Sequence, residues 1–209
     1  MTDIAHHSLL SVPHHFLHFS QSLVQMRGCH PPLSMHYVYN EKFTEAEELL
    51  LKALNIRKEI LGDYSRELYD VYYLLANTYV EMGNQDDSEK YYVLAMEVAE
   101  KVFDQRDNMK MANLYHNVGA WYADQKKYCL AETYFLQAIE LRKKLPESVA
   151  TARTFYRTGI MYQYLFDKIN AEKYLRKAYH IYLKNFGEEY EETLMVKEKL
   201  DSILSSCKV

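Results

Sequence analysis

The sequence predicts an all-α protein made of repeated helical hairpins, and three observations lead to that prediction. Apolar side chains recur with the spacing of one helix face, as at Tyr72, Leu75, Ala76 and Tyr79. Helix breakers are scarce after residue 33, where Pro146 is the only proline. A segment also recurs at intervals of 40 to 43 residues, and such periods are typical of repeat architectures.

The repeat is aligned on a small residue that is followed by glutamate, at residues 46, 88, 131 and 171. Four residues later stand the large side chains Leu50, Tyr92, Phe135 and Leu175. Seven residues later stand Ala53, Ala95, Ala138 and Ala178. Twelve residues earlier stand Ser34, Ala76, Gly119 and Gly159, and nine residues earlier stand Tyr37, Tyr79, Tyr122 and Tyr162. This constancy indicates a helical hairpin with fixed contacts.

Small residues at fixed places indicate where two helix backbones approach closely, with large residues filling the space beside them. Polar connections such as "EMGNQDD" and "DQKKY" suit the turns between the paired helices. Enlarging a small residue, as in Gly119→Leu, is expected to overpack the contact at a cost of about 1–3 kcal/mol.

Along the chain we predict three regions. Residues 1–30 form an atypical segment, partly disordered or adding an extra helix at 14–26, and residues 1–36 hold seven of the nine histidines. His14 and His18 share a spacing that suits a metal, but no ligand set is completed nearby, so we predict no metal site. Residues 31–187 form three to four hairpins, including a helix at 43–60 with Arg57 among its outward charges.

Residues 188–209 are predicted to form a C-terminal capping helix and a tail. Within a helix at 189–204, four apolar residues are expected to pack inward, namely Leu194, Leu200, Ile203 and Leu204. Four charged residues are expected to face water, namely Lys197, Glu198, Lys199 and Asp201.

Composition narrows the function. The 209 residues carry a net charge of −4, which gives no electrostatic reason to expect a nucleic acid. No apolar run reaches the roughly 18 residues of a membrane-spanning helix. The three cysteines suggest neither a disulfide framework nor a zinc site, so we expect a cytoplasmic protein. No phosphate-binding loop, nucleophile elbow or metalloprotease helix is present, so we predict no enzyme and no cofactor.

The repeat pattern resembles the tetratricopeptide repeat over roughly residues 31–204. The period and the segments 46–68 and 179–194 are similar to the longer repeats of kinesin light chains and nephrocystin-3. The linkers at 104–108 and 145–148 depart from that subclass because they lack its leucine–glycine signature. The resemblance implies a right-handed α-solenoid, a superhelix of antiparallel hairpins whose first helices line a concave groove that binds peptides.

Candidate groove residues are polar side chains that share a face on each first helix. They are Tyr73 and Asn77, Asn113 and Asn117, and Arg153, Tyr156 and Arg157. Asparagine matches the donors and acceptors of a peptide backbone, and arginine matches carboxylates. We therefore expect an adaptor that binds a segment of an unidentified protein partner.

Three other interpretations of these residues stay open. The resemblance also suggests capture of a C-terminal carboxylate, for which Asn77, Asn117 and Arg157 match the expected residue types. In that clamp Arg153 replaces one lysine and Tyr73 stands where another lysine belongs. The chain is alternatively a structural or self-associating piece of a larger assembly with an unused groove. The same side chains are also compatible with an ordinary solvated helix surface.

Overall fold

The computed structural model describes residues 33–104 and 107–205, with side chains described from residue 42 onward. Over these residues the chain forms eight helices and no strand, which confirms the all-α prediction. The helices are α1 (Leu33–Leu61), α2 (Arg66–Glu81), α3 (Gln85–Val102), α4 (Asn108–Asp124), α5 (Tyr128–Arg142), α6 (Val149–Tyr164), α7 (Lys168–Phe186) and α8 (Glu191–Ser205).

The chain divides into two compact units, one ending at Phe103 and the other beginning at Asp104. The first unit contains α1 and the hairpin α2–α3. The second contains the hairpins α4–α5 and α6–α7, followed by α8. The predictions for residues 1–30, including the extra helix and the histidine pair, lie outside the described residues.

The first repeat differs from its prediction. A separate helix was expected at 43–60, but α1 is continuous from Leu33 to Leu61, so no turn separates Ser34 and Tyr37 from the later residues. The segment between them contains neither glycine nor proline, which are the strongest local signals for a break in a helix. The helix is followed by Gly62, whose φ of 75° is readily accessible to glycine.

Small residues lie against large ones inside the hairpins α4–α5 and α6–α7, as predicted. A Cβ atom added to Gly119 would come within 2.9 Å of the Phe135 ring, and one added to Gly159 within 2.7 Å of Leu175. Ala76, at the same place in α2, is fully buried. The repeated small residues therefore let the two helices of a hairpin approach closely.

The three hairpins turn at one repeat position. The turn residues Gly83, Lys126 and Phe166 have φ values of 74°, 62° and 58°. Each lies seven residues after the small residue of the first helix, which is Ala76, Gly119 or Gly159. Two turns continue into a helix that is capped by a side chain: Asn84 accepts from the amide of Asp87, and Asp167 accepts from that of Asn170. The hairpins thus share one left-handed turn residue, although only one of them uses glycine.

The repeated tyrosine and the repeated glutamate connect successive repeats. The Tyr79 hydroxyl of α2 donates to Glu47 Oε1 of α1 at 2.6 Å, and Tyr162 of α6 donates in the same way to Glu132 of α5. Burial, with the neighbouring carboxylate, raises the pKa of both tyrosines. Two signature positions of the sequence are therefore the two ends of one hydrogen bond.

The inner face of α8 differs from its prediction. Leu200 and Ile203 are buried as expected, but Leu194 and Leu204 are 47% and 37% exposed. Val196 completes the buried face instead. The helix therefore covers its neighbour with a face that is rotated from the predicted one.

The environment of Arg57 was also predicted wrongly. This residue was expected to face water but is only 6% exposed, and its Nη1 donates to the Glu67 carbonyl at 2.9 Å. The long aliphatic stem allows the side chain to pack between helices while its head group finds an acceptor.

Candidate functional site

The predicted peptide-binding residues lie on the first helices of the three hairpins. Tyr73 and Asn77 are on α2 in the first unit, and the other five are on α4 and α6 in the second. The two groups therefore belong to different units.

On α2, the two candidate residues contact the interior of their own unit. Tyr73 is half-buried, and its ring stacks on that of Tyr69 with the ring centres 5.8 Å apart. The Phe103 ring also contacts Tyr69, edge-on, with the ring centres 4.5 Å apart. Asn77 is 6% exposed, and its Oδ1 accepts a hydrogen bond of 2.8 Å from the buried Tyr92 hydroxyl. Because this carbonyl group satisfies a buried donor, the placement of Asn77 does not support its predicted peptide contact.

On α4, both candidate asparagines lie near the hairpin interior. Asn113 is half-buried, and its Oδ1 accepts a hydrogen bond of 2.9 Å from Arg142 Nη2 of α5. Asn117 is 5% exposed, as is Arg142. Sequence reasoning missed Arg142. It lies eleven residues after Ala131, and the buried Arg57 lies eleven residues after Ala46, at the same repeat position. An arginine at the same position of two repeats was the signal that could have found it.

On α6, the candidate residues are more accessible than Asn77 and Asn117. Arg153, Tyr156 and Arg157 are all half-buried. The Arg157 side chain is 31% exposed, and its Nη1 lies 3.4 Å from Oδ1 of Asp124, which is 54% exposed. A long ion pair in this environment contributes little to stability. A ligand carboxylate can therefore replace Asp124 at small cost.

Tyrosine hydroxyls lie beside the two α6 arginines. Burial raises the pKa of Tyr182 to about 12, against the lowering effect of the Arg153 guanidinium, which also hydrogen-bonds to it. Burial likewise raises the pKa of Tyr156, which the Arg157 guanidinium opposes and the carboxylate of Glu198 reinforces. Both hydroxyls therefore remain protonated at neutral pH and are available as donors.

A hydrogen bond fixes α6 against α4. Thr154 is fully buried, and its Oγ1 donates to the Ala150 carbonyl at 3.0 Å and lies 3.1 Å from His116 Nδ1. A hydroxyl has one hydrogen to donate, so this arrangement requires His116 to donate from Nδ1. The contact holds Asn117 and Arg157 on helices of fixed relative position.

The α6 surface is defined here as Arg153, Tyr156 and Arg157. It offers two fixed cations and a tyrosine hydroxyl, which suit a carboxylate and the carbonyl groups of an extended peptide. Within residues 33–104 and 107–205, no group of three or more His, Cys, Asp or Glu side chains is placed to hold a metal ion. No helix in this described part is long and apolar enough to span a bilayer.

Comparison with known proteins agrees with the fold. The family model described as tetratricopeptide repeat matches residues 32–101 and 110–184. The curated proteins gave no match. Among solved structures, BtubC (BKLC) from P. vanneervenii is 22% identical with a TM-score of 0.71, and the match covers 79% of this chain. It covers 66% of BtubC, slightly less than two thirds.

Nearly identical TPR-like repeats of kinesin light chain type from Podosopora anserina are also similar, in two structures. Each is 17% identical and covers 83% of this chain; the TM-scores are 0.68 for a form with one substitution and 0.67 for the other structure. The matches cover 84% and 85% of those chains. At these identities the comparison establishes the fold alone.

Proposed function

We propose that this chain, which belongs to the tetratricopeptide-repeat family, is a non-enzymatic adaptor that binds a peptide segment of a partner protein. Repeats of this family generally mediate protein–protein interactions. The kinesin light chain-like neighbours share the fold. The peptide is bound on the first helices of the second unit, at the α6 surface.

The accessibility of Arg157 is the observation that supports this site most strongly. The first-helix asparagines 77 and 117 are almost fully buried, whereas Arg157 is partly exposed and holds Asp124 only through a 3.4 Å pair. Arg153 and Tyr156 lie one helical turn and one residue away. A partner segment with an acidic side chain gains charge-assisted hydrogen bonds here.

The partner is a protein segment with at least one carboxylate. The net charge of −4 gives nucleic acid no general attraction. We place the adaptor in the cytoplasm, because its cysteines suggest no disulfide framework.

Peptide selection followed by affinity measurement tests the proposal. A library of random peptides is panned against the whole chain, and the Kd of an enriched peptide is measured by fluorescence anisotropy. Arg157→Ala should weaken binding by about tenfold or more, because it removes a charge-assisted hydrogen bond. Arg176→Ala is the matched control, since Arg176 of α7 is exposed and pairs with Glu172 at 2.7 Å.

Two outcomes would contradict the site. One is a library that yields no binder, and the other is a peptide whose affinity is the same for the wild-type chain and the Arg157→Ala variant. Amidating the peptide's C-terminus separates two modes of recognition, because only a clamp for a terminal carboxylate loses affinity when that charge is removed.

A further inference from the structure

Helix α8 resembles the first helix of a further hairpin. It begins at Glu191, 42 residues after α6 begins at Val149, which is within the repeat interval. One face of α6 is buried through Thr151, Thr154, Thr158 and Met161. The corresponding residues of α8 are also buried, namely Thr193, Val196, Leu200 and Ile203.

The other face of α6 packs against the second helix of its hairpin. Gly159 lies against Leu175, and the rings of Phe155 and Tyr162 lie 6.1 and 5.6 Å from Tyr174. The corresponding residues of α8 form a stripe of partly or largely exposed side chains, here called the α8 stripe: Leu194, Lys197, Asp201 and Leu204.

The α8 stripe does not suit a second helix of the usual kind. Asp201 occupies the place of Ala76, Gly119 and Gly159, where a small residue admits the second helix closely. Such a helix would bury the Asp201 carboxylate, at a high cost in desolvation unless it placed a cation opposite the carboxylate. The stripe instead has an apolar residue at each end and opposite charges in the middle.

This order of residues is complementary to itself when reversed. The spacing of 194, 197, 201 and 204 is that of successive a and d positions in a coiled coil. Consider two antiparallel copies of α8 that are related by a two-fold axis passing at the height of residue 199 along each helix. Leu194 then faces Leu204 of the second copy. Lys197 then faces Asp201 of the second copy, and two-fold symmetry forms each contact twice.

We propose that a second copy of this chain docks on the α8 stripe, antiparallel to the first and related to it by a two-fold axis. The charge complementarity selects this occupant, since a helix of unrelated sequence would have to match both a lysine and an aspartate between two leucines. The proposal goes beyond peptide binding, because the α8 stripe shares no residue with the α6 surface.

An open groove of about 340 Å³ lies beside the stripe, between α7 and α8. Its lining is mixed and includes the apolar side chains Leu200 and Leu204 as well as the charged Lys197 and Asp201 of the stripe; the others are Arg176, Tyr179 and His180. Leu194 of the second copy meets Leu204 at this groove. Both leucines then lose the contact with water that they have in the single chain.

The interface is small, so the dimer is weak. One helix from each copy buries less than the roughly 1,200 Å² of a standard stable interface. We therefore expect a Kd of roughly 10 µM to 1 mM. Association is expected to depend on concentration and to be invisible in dilute samples.

Sedimentation equilibrium of the whole chain over a range of concentrations tests the proposal. The weight-average mass should rise from the 24.8 kDa of one chain toward twice that value. Leu194→Glu should raise the Kd by about tenfold or more, because it places a carboxylate against Leu204 of the second copy. Leu194 is 47% exposed, so the fold should be retained.

Charge reversal gives the sharper result. Lys197→Asp and Asp201→Lys should each raise the Kd by roughly fivefold or more, because like charges then face each other twice. The double variant restores opposite charges and should recover wild-type affinity. A mixture of the two single variants should associate more tightly than either alone. Lys199→Asp, on the opposite side of the same helix, is the matched control and should leave the Kd unchanged.

Three results would overturn the proposal. A chain that remains monomeric up to about 1 mM has no such interface. Association that is insensitive to Leu194→Glu uses another surface. A double variant that stays as weak as the single variants shows that residues 197 and 201 do not face each other.

Discussion

The hairpins α4–α5 and α6–α7 lie in one unit and pack alike, yet they present different surfaces. Gly119 meets Phe135 in the first, and Gly159 meets Leu175 in the second. Two places before each glycine, however, stands a buried asparagine in one hairpin and the partly exposed Arg157 in the other. The residues at the packing positions are thus of the same kind in both hairpins, while the residues between them differ in chemistry and exposure.

At a second pair of positions, the arginine is on the second helix in one hairpin and on the first helix in the other. In α4–α5, Arg142 of the second helix donates to Asn113 of the first. In α6–α7, the arginine is on the first helix, as Arg153, and its partner on the second is Tyr182. Arg142 is buried, whereas Arg153 is half-buried. This exchange leaves two cations on α6.

The largest expected effect comes from filling the close contacts. Gly119→Leu and Gly159→Leu should each lower the free energy of unfolding by about 1–3 kcal/mol. Gly159→Leu should cost more, because an added Cβ meets not only Leu175 but also the backbone carbonyl of Ala171 at 3.2 Å. At Gly119 the close atoms belong to the Phe135 ring, which is a side chain. Urea denaturation followed by circular dichroism measures both.

The two alanine variants sharpen this comparison. Ala has a higher helix propensity than Gly by about 1 kcal/mol, which offsets part of the steric cost. Gly119→Ala should therefore be close to neutral and Gly159→Ala destabilising. Equal effects at the two sites would show that the backbone carbonyl does not limit the second contact.

The next largest effect is a decrease in the free energy of unfolding at alkaline pH, which originates in the hairpin α6–α7. The pKa of Tyr182 is raised by burial to about 12 from 10.0. A raised pKa means that the folded state holds the proton more tightly, so the stabilisation is complete below pH 10 and is lost as pH rises toward 12. Arg142, at the same position of α4–α5, stays charged throughout this range.

Comparison of the wild-type chain with Tyr182→Phe isolates that contribution. Between about pH 9 and pH 11.5, the wild type should lose more unfolding free energy than the variant, by about 1 kcal/mol or more. Tyr79 and Tyr162 also have raised pKa values and contribute equally to both proteins, so the difference between the two curves carries the result. Parallel curves would mean that Tyr182 is not the group that titrates.

The contrast between packing and surface positions also explains what the sequence could predict. The pairing of Gly119 with Phe135 was predictable, because a small and a large residue recur at fixed offsets. The burial of polar residues was not predictable. Asn77 accepts a hydrogen bond from the hydroxyl of Tyr92, fifteen residues away. Arg57 donates a hydrogen bond to a backbone carbonyl of α2. Helix periodicity shows which face a residue is on but not whether a distant partner buries it.

The ends of the repeated region show a second limit. The turn expected before residue 43 is absent. That part of α1 contains no glycine or proline, but neither do the turns at Lys126 and Phe166, so the lack of these residues does not by itself decide where a helix continues. In α8, four apolar residues were expected on the inner face, but only two of them are buried. The buried face of α8 is the one that packs against α7, and the apolar pattern of α8 alone does not specify that contact.

The smallest expected effect concerns the turns, where the hairpins again differ. Lys126 and Phe166 both have a positive φ, in the left-handed region that costs a non-glycine residue about 1 kcal/mol. The hairpin α2–α3 places Gly83 at this position. Phe166 is 90% exposed, so its ring gives little packing in return for the strain.

Phe166→Gly and Lys126→Gly should therefore each raise the unfolding free energy, by up to about 1 kcal/mol, after the greater chain entropy of glycine in the unfolded state is subtracted. Thermal denaturation at neutral pH gives the shift in Tm. The Lys126 variant is the control for backbone strain alone, since both residues share the turn position. A Phe166→Gly variant that is destabilised while Lys126→Gly is not would show that the exposed ring contributes contacts which the strain relief cannot replace.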